Sequence, residues 1–541
     1  MARGNREAAG CDSRREDAAA ISPSRYSVTD ALFHLSLLGV LALAFAWRWH
    51  FASRTRVYTY DSYYYLLLAR NLRHHLSYAV AGHPHFKFMP LYPLLLAFGN
   101  LFTGRLETLG KITNVLPASL CVFPIYGMGK AVFGRRAGLF AALLFAFEPV
   151  SVAWSSLPMS EGLFTFLLCV AAFLFLRWWK GGGRRLLFLS ALVAGLSMVT
   201  RWEGFLFFAS MVLFMLHAWR RGRITGREVL LCCGTALLPF SLLVLRNLIT
   251  FGRPVKSAYL NELAAFRREY ETFPLGQRLL NYFVFKDTGP IGIADHLYNY
   301  GFLLFGYGGL TLALLDSRTR RYAAFLAAWF LLVGPFHFIW YFYNLRFLFP
   351  VTPVLCLGAG ALFGLPWNPE GRRLGREAVV CFAALSLLLS AVLFTMGDRV
   401  TEDLFVRNVL YLEDDWAAVA EREAALWLKE NGDHDAAVTA KLPPLVSFYL
   451  GRDALFLGPW EDFEPADIDP ADFLAQARAK GVRYLITSTG DYNPEESLQV
   501  AGIDPSLLPG LNMLKAFYVP PGVKGNAGSF AFVFEIPPEG G

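Results

Sequence analysis

Seven ionisable side chains stand beside apolar stretches of this chain: Asp61, Lys87, Glu161, Arg201, Glu203, Arg246 and Arg346. Charge near a bilayer is costly unless it is paired or lines a wet cavity. Three carboxylates and three guanidiniums, brought to one face, are therefore most economically read as the lining of a shared outward cavity. Lys87, in Phe86-Lys87-Phe88-Met89-Pro90, is a cation of the kind that suits a lipid phosphate. Residue type alone leaves simpler readings open. Asp61 before Ser62-Tyr63-Tyr64-Tyr65 is also a good helix N-cap. Glu161 also reads as a cap of its own span, Arg201 and Glu203 as a local pair, and Arg246 and Arg346 as cations snorkelling to the interface.

The elements that must position these groups follow from composition. Of 541 residues, 55% are hydrophobic and only 17% charged, which excludes a disordered chain and disfavours an ordinary soluble enzyme. Eleven apolar runs are long enough to cross, or nearly cross, a bilayer. They are 31–47, 112–132, 137–154, 162–179, 186–200, 204–219, 229–245, 300–315, 322–342, 347–367 and 378–396. The 13-residue run 91–103, with Pro93 inside, reads as a re-entrant or interfacial helix instead.

Alternate loops carry 15 Lys and Arg, whereas the short loops of the opposite side hold only Arg201 and Arg346. By the positive-inside rule the first set is cytoplasmic, together with the Arg-rich residues 1–30. An odd number of spans then puts the C-terminus, and the seven ionisable groups, on the extracytoplasmic face. The first run lacks a small-residue cleavage site and reads as an uncleaved anchor.

The net charge of +7 divides into +20 for residues 1–400 and −13 for residues 401–541. The basic excess suits loops beside spans and does not call for a nucleic-acid partner. Long outside loops are expected at 48–111 and 246–299, and an extracytoplasmic α/β domain at 398–541. Within that domain the spacing predicts a helix over 413–431 closed by Gly432 in a left-handed cap. It also predicts strands at 436–440, 482–487 and 529–536 and a helix over 470–480 stopped by Gly481. The domain lacks a phosphate-binding glycine loop and metal-spaced His or Cys, so it reads as an accessory domain.

Four histidines, His74, His75, His83 and His85, match no standard zinc spacing and read as a polar interfacial loop. Six of the seven cysteines fall in the expected spans and Cys11 in the N-terminal tail, so no outside disulfide is expected. Glu148, followed by Pro149 inside a span, has no evident role.

In this order and on this topology the motifs resemble the GT-C glycosyltransferases, in particular the protein O-mannosyltransferases and lipid A aminoarabinose transferases. The resemblance covers most of the chain. It rests on Asp61 with Tyr63–Tyr65, Ala69-Arg70-Asn71-Leu72, Pro90-Leu91-Tyr92-Pro93, Ser160-Glu161, Thr200-Arg201-Trp202-Glu203-Gly204 and Arg346-Phe347-Leu348-Phe349-Pro350. It implies a helical polytopic membrane protein that transfers a sugar, with inversion, from a polyprenyl-phosphate donor to an envelope acceptor: a glycolipid, a glycan or a protein. Asp61 would be the base, with Glu161 beside it. Lys87, Arg201, Arg246 and Arg346 would hold the donor phosphate. Tyr63, Tyr64 and Glu203 would orient substrate. A divalent metal is possible, and no other cofactor is implied.

Oligosaccharyltransferases also begin with an outside Asp but carry Trp-Trp-Asp in the soluble domain. Here only Gly458-Pro459-Trp460-Glu461-Asp462 is found. A transporter or flippase of lipid-linked sugars would place charges near midplane within repeated halves; the charges cluster at one face and no internal repeat is evident. A non-catalytic scaffold would account for the acidic domain but not for Asp61 and its arginines.

Overall fold

The computed structural model describes residues 28–256, 258–259, 274–285, 293–339, 344–364, 399–406, 417–457, 467–490, 492–520 and 528–538. The chain opens with α1 (Val28–Arg54) and α2 (Tyr60–His75). A short hairpin, β1 (Ala79–Val80) and β2 (His83–Pro84), leads to α3 (Leu91–Thr103). Then come α4 (Leu106–Leu120), α5 (Val122–Val132), α6 (Arg135–Ala146), α7 (Pro149–Ser155), α8 (Glu161–Trp179), α9 (Arg184–Met198), α10 (Glu203–Arg220) and α11 (Gly226–Phe251). The helical half ends with α12 (Leu275–Phe283), α13 (Ile293–Leu315), α14 (Arg320–Val333), 3-10 turns at Pro335–Ile339 and Leu345–Val351, and α15 (Thr352–Gly364).

Six described helical segments are long and apolar enough to cross a membrane, and a seventh is reached if the bent pair α6 and α7 counts as one span. Helices also form over the expected runs at 186–200, 204–219 and 300–315, but α9, α10 and α13 fall outside that set. The run 378–396 lies outside the described residues. Helix α13 packs tightly on α15. A Cβ on Gly309 would collide with the carbonyl of Gly358, and one on Gly358 with the carbonyl of Gly306. Small residues here let two backbones touch, which substitutes for the hydrophobic drive that lipid removes.

The break between α6 and α7 gives Glu148 its role. Pro149 offers no amide hydrogen and disfavours helical backbone at the residue before it. Glu148 accordingly adopts an extended ψ of 119° and caps α7, its carboxylate accepting from the amides of Val150 (3.0 Å) and Ser151 (2.7 Å). Arg48 of α1, wholly buried, treats the other side of the break. It donates to the carbonyls of Ala146 (2.7 Å) and Phe145 (3.0 Å) and to Ser151 Oγ (2.9 Å). Backbone groups freed by a 49° bend are thus satisfied by one cation and one carboxylate.

The C-terminal residues build a five-stranded sheet in the order β4-β3-β5-β7-β6. Its elements are α16 (Ala418–Asn431), β3 (Ala437–Ala440), α17 (Pro443–Leu450), β4 (Leu455–Phe456), α18 (Phe473–Ala479), β5 (Val482–Thr489), α19 (Pro494–Val500), β6 (Asn512–Val519) and β7 (Ser529–Glu535). Strand β3 runs parallel to β4 and β5, and β7 antiparallel to β5 and β6. Because successive side chains alternate, Ala531 and Val533 pack with Ala420, Ala424 and Leu428 of α16. Phe532 and Phe534 pack with Phe473 and Leu498 on the other face.

Gly481 has the left-handed φ of 68°. Gly432 does not: it closes α16 at φ −91° and ψ 167°, an extended backbone that needs no glycine. The helix thus ends without a left-handed turn, and residues 433–436 lead from it to β3. Residues 413–416 and 458–462, including Trp460-Glu461-Asp462, lie outside the described residues. The five described cysteines are all free thiols.

One acid is buried inside this region. Glu421 of α16 accepts from Ser488 Oγ (2.7 Å) and from the Leu442 amide (3.2 Å), with Lys441 close by and hydrogen-bonded to Ser488. Burial pushes its carboxyl up to about 7, against the pull of Lys441 and the two donors. The folded chain therefore keeps this proton to higher pH than the unfolded chain. Stability is greatest below an ordinary glutamate value of about 4.3, falls as pH rises, and levels off above about 7. Hydrogen exchange of the β3 and β5 amides in the full-length protein, corrected for intrinsic rates, is expected to lose protection between pH 5 and 7. The loss corresponds to at most about 3 kcal/mol, and Glu421→Gln should flatten the dependence.

Candidate active site

Helix α2 carries the first group. Thr59, and not Asp61, is its N-cap: the Thr59 side chain accepts from the Ser62 amide at 3.2 Å. Asp61 in the first helical turn is thereby left available to the site. A helix advances about 100° per residue, so Asp61 and Tyr65 share one face while Tyr63 lies opposite. The contacts follow that phase. Asp61 Oδ2 sits 3.0 Å from Arg346 Nη1, and the Tyr65 hydroxyl is hydrogen-bonded to Ser160 Oγ at 3.0 Å. Tyr63, expected to orient substrate, faces the other way, where its hydroxyl donates to the Tyr449 hydroxyl (3.4 Å). The Tyr64 hydroxyl lies 3.3 Å from that of Tyr60, and its ring packs near His85 and Phe88. The apolar stretch Leu66–Ala69 is wholly buried against protein.

Arg346 comes from the 3-10 turn Leu345–Val351, whose start is fixed by Asn344 Oδ1 accepting from the Arg346 amide (2.9 Å). Its guanidinium lies over the Phe347 ring and near that of Trp154, and its Nε, though buried, has no partner.

Arg201, in the turn between α9 and α10, joins two carboxylates. It donates through Nη1 to Glu161 Oε1 (2.7 Å) and through Nε and Nη2 to Glu203 Oε1 (3.0 and 2.9 Å). The local pair of Arg201 and Glu203 is therefore real, but it is half of a larger bridge. Glu203 Oε1 also lies 3.2 Å from His337 Nε2, and the His337 ring stacks on Phe347 at 4.0 Å and 3°. His337 thus links the two arginine centres. Glu161 Oε2 and His337 Nδ1 are buried without a partner.

Asp61 is the most open of the three acids: its side chain is 24% exposed, against 1% for Glu161 and 6% for Glu203. Burial alone would raise its carboxyl, but the cations Arg346, Lys87 and Arg201 outweigh that and hold it below its ordinary value.

The turn holding Glu161 is fixed by a residue that sequence reading passed over. Asn114 of α4 donates to the carbonyls of Trp154 (3.0 Å) and Leu157 (2.7 Å) and accepts from the Gly162 amide (2.7 Å). A Cβ on Gly162 would strike Asn114 itself. Lys87 lies over the Phe88 and Tyr259 rings and contributes to the field at Asp61. Arg246 belongs to a neighbouring group. It donates to the Tyr78 carbonyl (3.2 Å) and lies over the Tyr78 and Phe251 rings, and Lys256 lies over Phe251 and Phe86.

The histidine loop is dispersed. His85 is buried, accepting from the Phe88 amide and stacking on the Phe88 ring, while His83 pairs with Asp467 at 3.4 Å. Among the described residues no group of three or more His, Cys, Asp or Glu side chains is placed to hold a metal ion. The carboxylates take guanidinium partners, so this donor set does not fit a resident divalent ion.

Residues 82–245 match the dolichyl-phosphate-mannose-protein mannosyltransferase family. No curated protein sequence matches at a significant level. The structure is similar to that of ArnT from Cupriavidus metallidurans in the apo state. The TM-score is 0.59 at 14% identity, covering 94% of this chain and 98% of that one. The same protein bound to undecaprenyl phosphate gives 0.57 at 14% identity, over 93% and 97% of the two chains. The archaeal oligosaccharyltransferase AglB from Archaeoglobus fulgidus, in complex with an inhibitory peptide and a dolichol-phosphate, gives 0.56 at 14% identity, over 94% and 74%. The fold is that of the GT-C glycosyltransferases.

Replacing Asn114 isolates its bracing of the Glu161 turn. Asn114→Ala strands the buried Trp154 carbonyl and the Gly162 amide, at about 1–3 kcal/mol for each group left without a partner, while the Leu157 carbonyl keeps the Met159 amide at 2.8 Å. The thermal midpoint of the purified protein, followed by tryptophan fluorescence, is expected to fall well below wild type. Asn114→Asp keeps the acceptor for Gly162 but turns a carboxylate oxygen on the Trp154 and Leu157 carbonyls, so it should fall at least as far as Asn114→Ala.

Proposed function

We propose, from the GT-C fold and the pairing of Asp61 with Arg346, that the protein is a membrane glycosyltransferase. It moves a sugar from a polyprenyl-phosphate donor to an envelope acceptor, a glycolipid, glycan or protein, on the extracytoplasmic face of the plasma membrane. The observation that carries the reading is an accessible carboxylate held 3.0 Å from a guanidinium whose Nε is still unpartnered. That is an acid–base group and an anion-binding group side by side at the end of membrane-spanning helices. The undecaprenyl phosphate bound by ArnT and the dolichol-phosphate bound by AglB support a lipid-phosphate donor. The chain spans nearly all of ArnT but three quarters of AglB, which favours the simpler transferase over an oligosaccharyltransferase.

In the proposed reaction the acceptor hydroxyl attacks the anomeric carbon from the face opposite the phosphate, inverting it. Asp61 takes the hydroxyl proton as the new C–O bond forms. The bond from carbon to phosphate oxygen breaks, and its electron pair leaves with the polyprenyl phosphate. Arg346, Lys87 and Arg201 meet the charge that develops there, and Arg246 meets the phosphate from the adjoining loop. When the donor phosphate draws on Arg346, the pull on Asp61 weakens and its basicity rises toward what the transfer needs. Glu161, Glu203 and Tyr64 hold sugar or acceptor hydroxyls. The N-terminus lies in the cytoplasm and the C-terminal region outside.

Transfer of radiolabelled sugar from polyprenyl phosphates to envelope acceptors, in one bilayer composition, tests the reading. Asp61→Asn is expected to lose about 10²- to 10⁴-fold in kcat while still binding donor. In kcat/KM, which reports the enzyme before donor binds, activity should persist in acid down to a limb below the ordinary aspartate value of about 3.9. Arg346→Gln should move that limb to higher pH, because burial then acts on Asp61 with less opposition. Wild-type transfer by Asp61→Asn would remove Asp61 from the chemistry.

A further inference from the structure

The C-terminal region touches α2 at two points, and both lie on the side away from the site. At the first, the Tyr63 hydroxyl donates to the Tyr449 hydroxyl (3.4 Å), which in turn donates to Glu107 Oε1 (2.9 Å) at the start of α4. The Tyr63 ring packs on Phe448 and Tyr449, and Arg422 of α16 covers the other partner ring, Tyr449, at 5.2 Å. At the second, Arg70 donates to the Ser447 carbonyl (2.9 Å) and to Asp453 Oδ1 (3.0 Å). Tyr63 and Arg70 are seven residues apart, nearly two full turns, so they form one stripe about 10 Å long. Asp61 and Tyr65 lie on the opposite stripe. A helix held at two points along one stripe can neither roll nor slide, and roll is the motion that would carry Asp61 away from Arg346.

We infer that the C-terminal region positions Asp61 by clamping α2, with Tyr449 and Arg70 as the positioning residues. The inference rests on the reading of Asp61 as the base. Asp61 itself is faced by Arg346 from the 3-10 turn, Lys87 from the loop before α3 and Arg201 from the turn before α10. The phenols of Tyr65 and Tyr259 are also close enough to feel its charge. Turning α2 withdraws the carboxylate from the nearest of these cations. A misplacement of about 1 Å at a reacting group costs about 100-fold in rate, so a slack clamp is expected to show in turnover before it shows in donor binding.

Tyr449→Phe removes the hydroxyl that joins Tyr63 to Glu107 but keeps the ring. In full-length protein in bilayers we expect kcat to fall about 10-fold or more with the donor KM little changed. The acid limb of the pH–rate profile should shift to higher pH as Asp61 leaves Arg346. Arg70→Gln, at the other clamp point, should give the same signature and decides the matter if Tyr449→Phe does not assemble. Arg483→Gln breaks the exposed ion pairs to Asp433 and Glu535 in the same region without touching α2, and should leave kcat and the acid limb in place. Wild-type kcat and an unmoved limb in the clamp variants, with Asp61→Asn inactive, would overturn the clamp and leave the base reading standing. Equal losses in kcat and donor affinity without a shifted limb would also overturn it, as general damage. Full transfer by Asp61→Asn would instead remove the base reading on which the clamp depends.

Discussion

Charge placed among apolar helices must be matched within hydrogen-bonding reach, and the architecture around the site follows from that demand. Arg346 answers Asp61, and Arg201 answers Glu161 and Glu203 together. None of these groups could sit on an uninterrupted span. Each is carried beside a break in the helices: Asp61, Glu161 and Glu203 in the first turns of α2, α8 and α10, Arg201 in the turn before α10, and Arg346 in a 3-10 turn. Irregular backbone at the edge of a membrane needs its own amides and carbonyls satisfied. Asn114, Asn344, Glu148 and Arg48 supply those bonds. The polar residues thus divide by task, one set carrying charge and the other allowing the backbone to break where charge is carried.

Much of the site could be read from the chain because charge is conspicuous in an apolar sequence. Asp61, Glu161, Arg201, Glu203 and Arg346 stood out by type and by lying on one side of the expected topology, and they meet in the structure. The residues that escaped notice are uncharged or ambiguous. His337 lies inside an apolar run, where a single imidazole carries no signal of direction, yet it links Glu203 to the ring beside Arg346. Asn114 lies in an apolar run and was not singled out, while Ser160 and Tyr65, though part of the motifs, are polar residues of types common beside spans and carry no signal of a task. Tyr63 and Tyr64 could not be assigned a direction before the phase of α2 was known. Once Thr59 is identified as the cap, turning 100° per residue sends Tyr63 to the back of the helix.

The fold was legible where periodicity or composition is strong and obscure where a single residue decides. Apolar runs marked the helical half, alternation marked β7, and short strand-like runs after helices marked β3 and β5. The bend at Glu148-Pro149 hides inside a run of span-like composition, because hydropathy averages over the proline. The interplay of α17 with α2 depends on Tyr449 and Arg70, residues far apart in sequence with no local pattern that pairs them.

The charge inventory also explains why one carboxylate is left more open than the others. Asp61, Glu161 and Glu203 oppose Arg201, Arg346 and Lys87, so the site without substrate is close to balance. In the proposed reaction a donor phosphodiester would bring one further negative charge, which the partner-free Nε of Arg346 and the nearby Lys87 would receive. Transfer releases a phosphate monoester with one more charge than the donor had. If water removed the acceptor proton, the site would have to absorb that added charge in a low-dielectric setting. If Asp61 keeps the proton, the carboxylate loses a charge as the phosphate gains one, and the total does not change. On that reading the base belongs beside the same guanidinium that would receive the leaving group, and Asp61 lies 3.0 Å from Arg346.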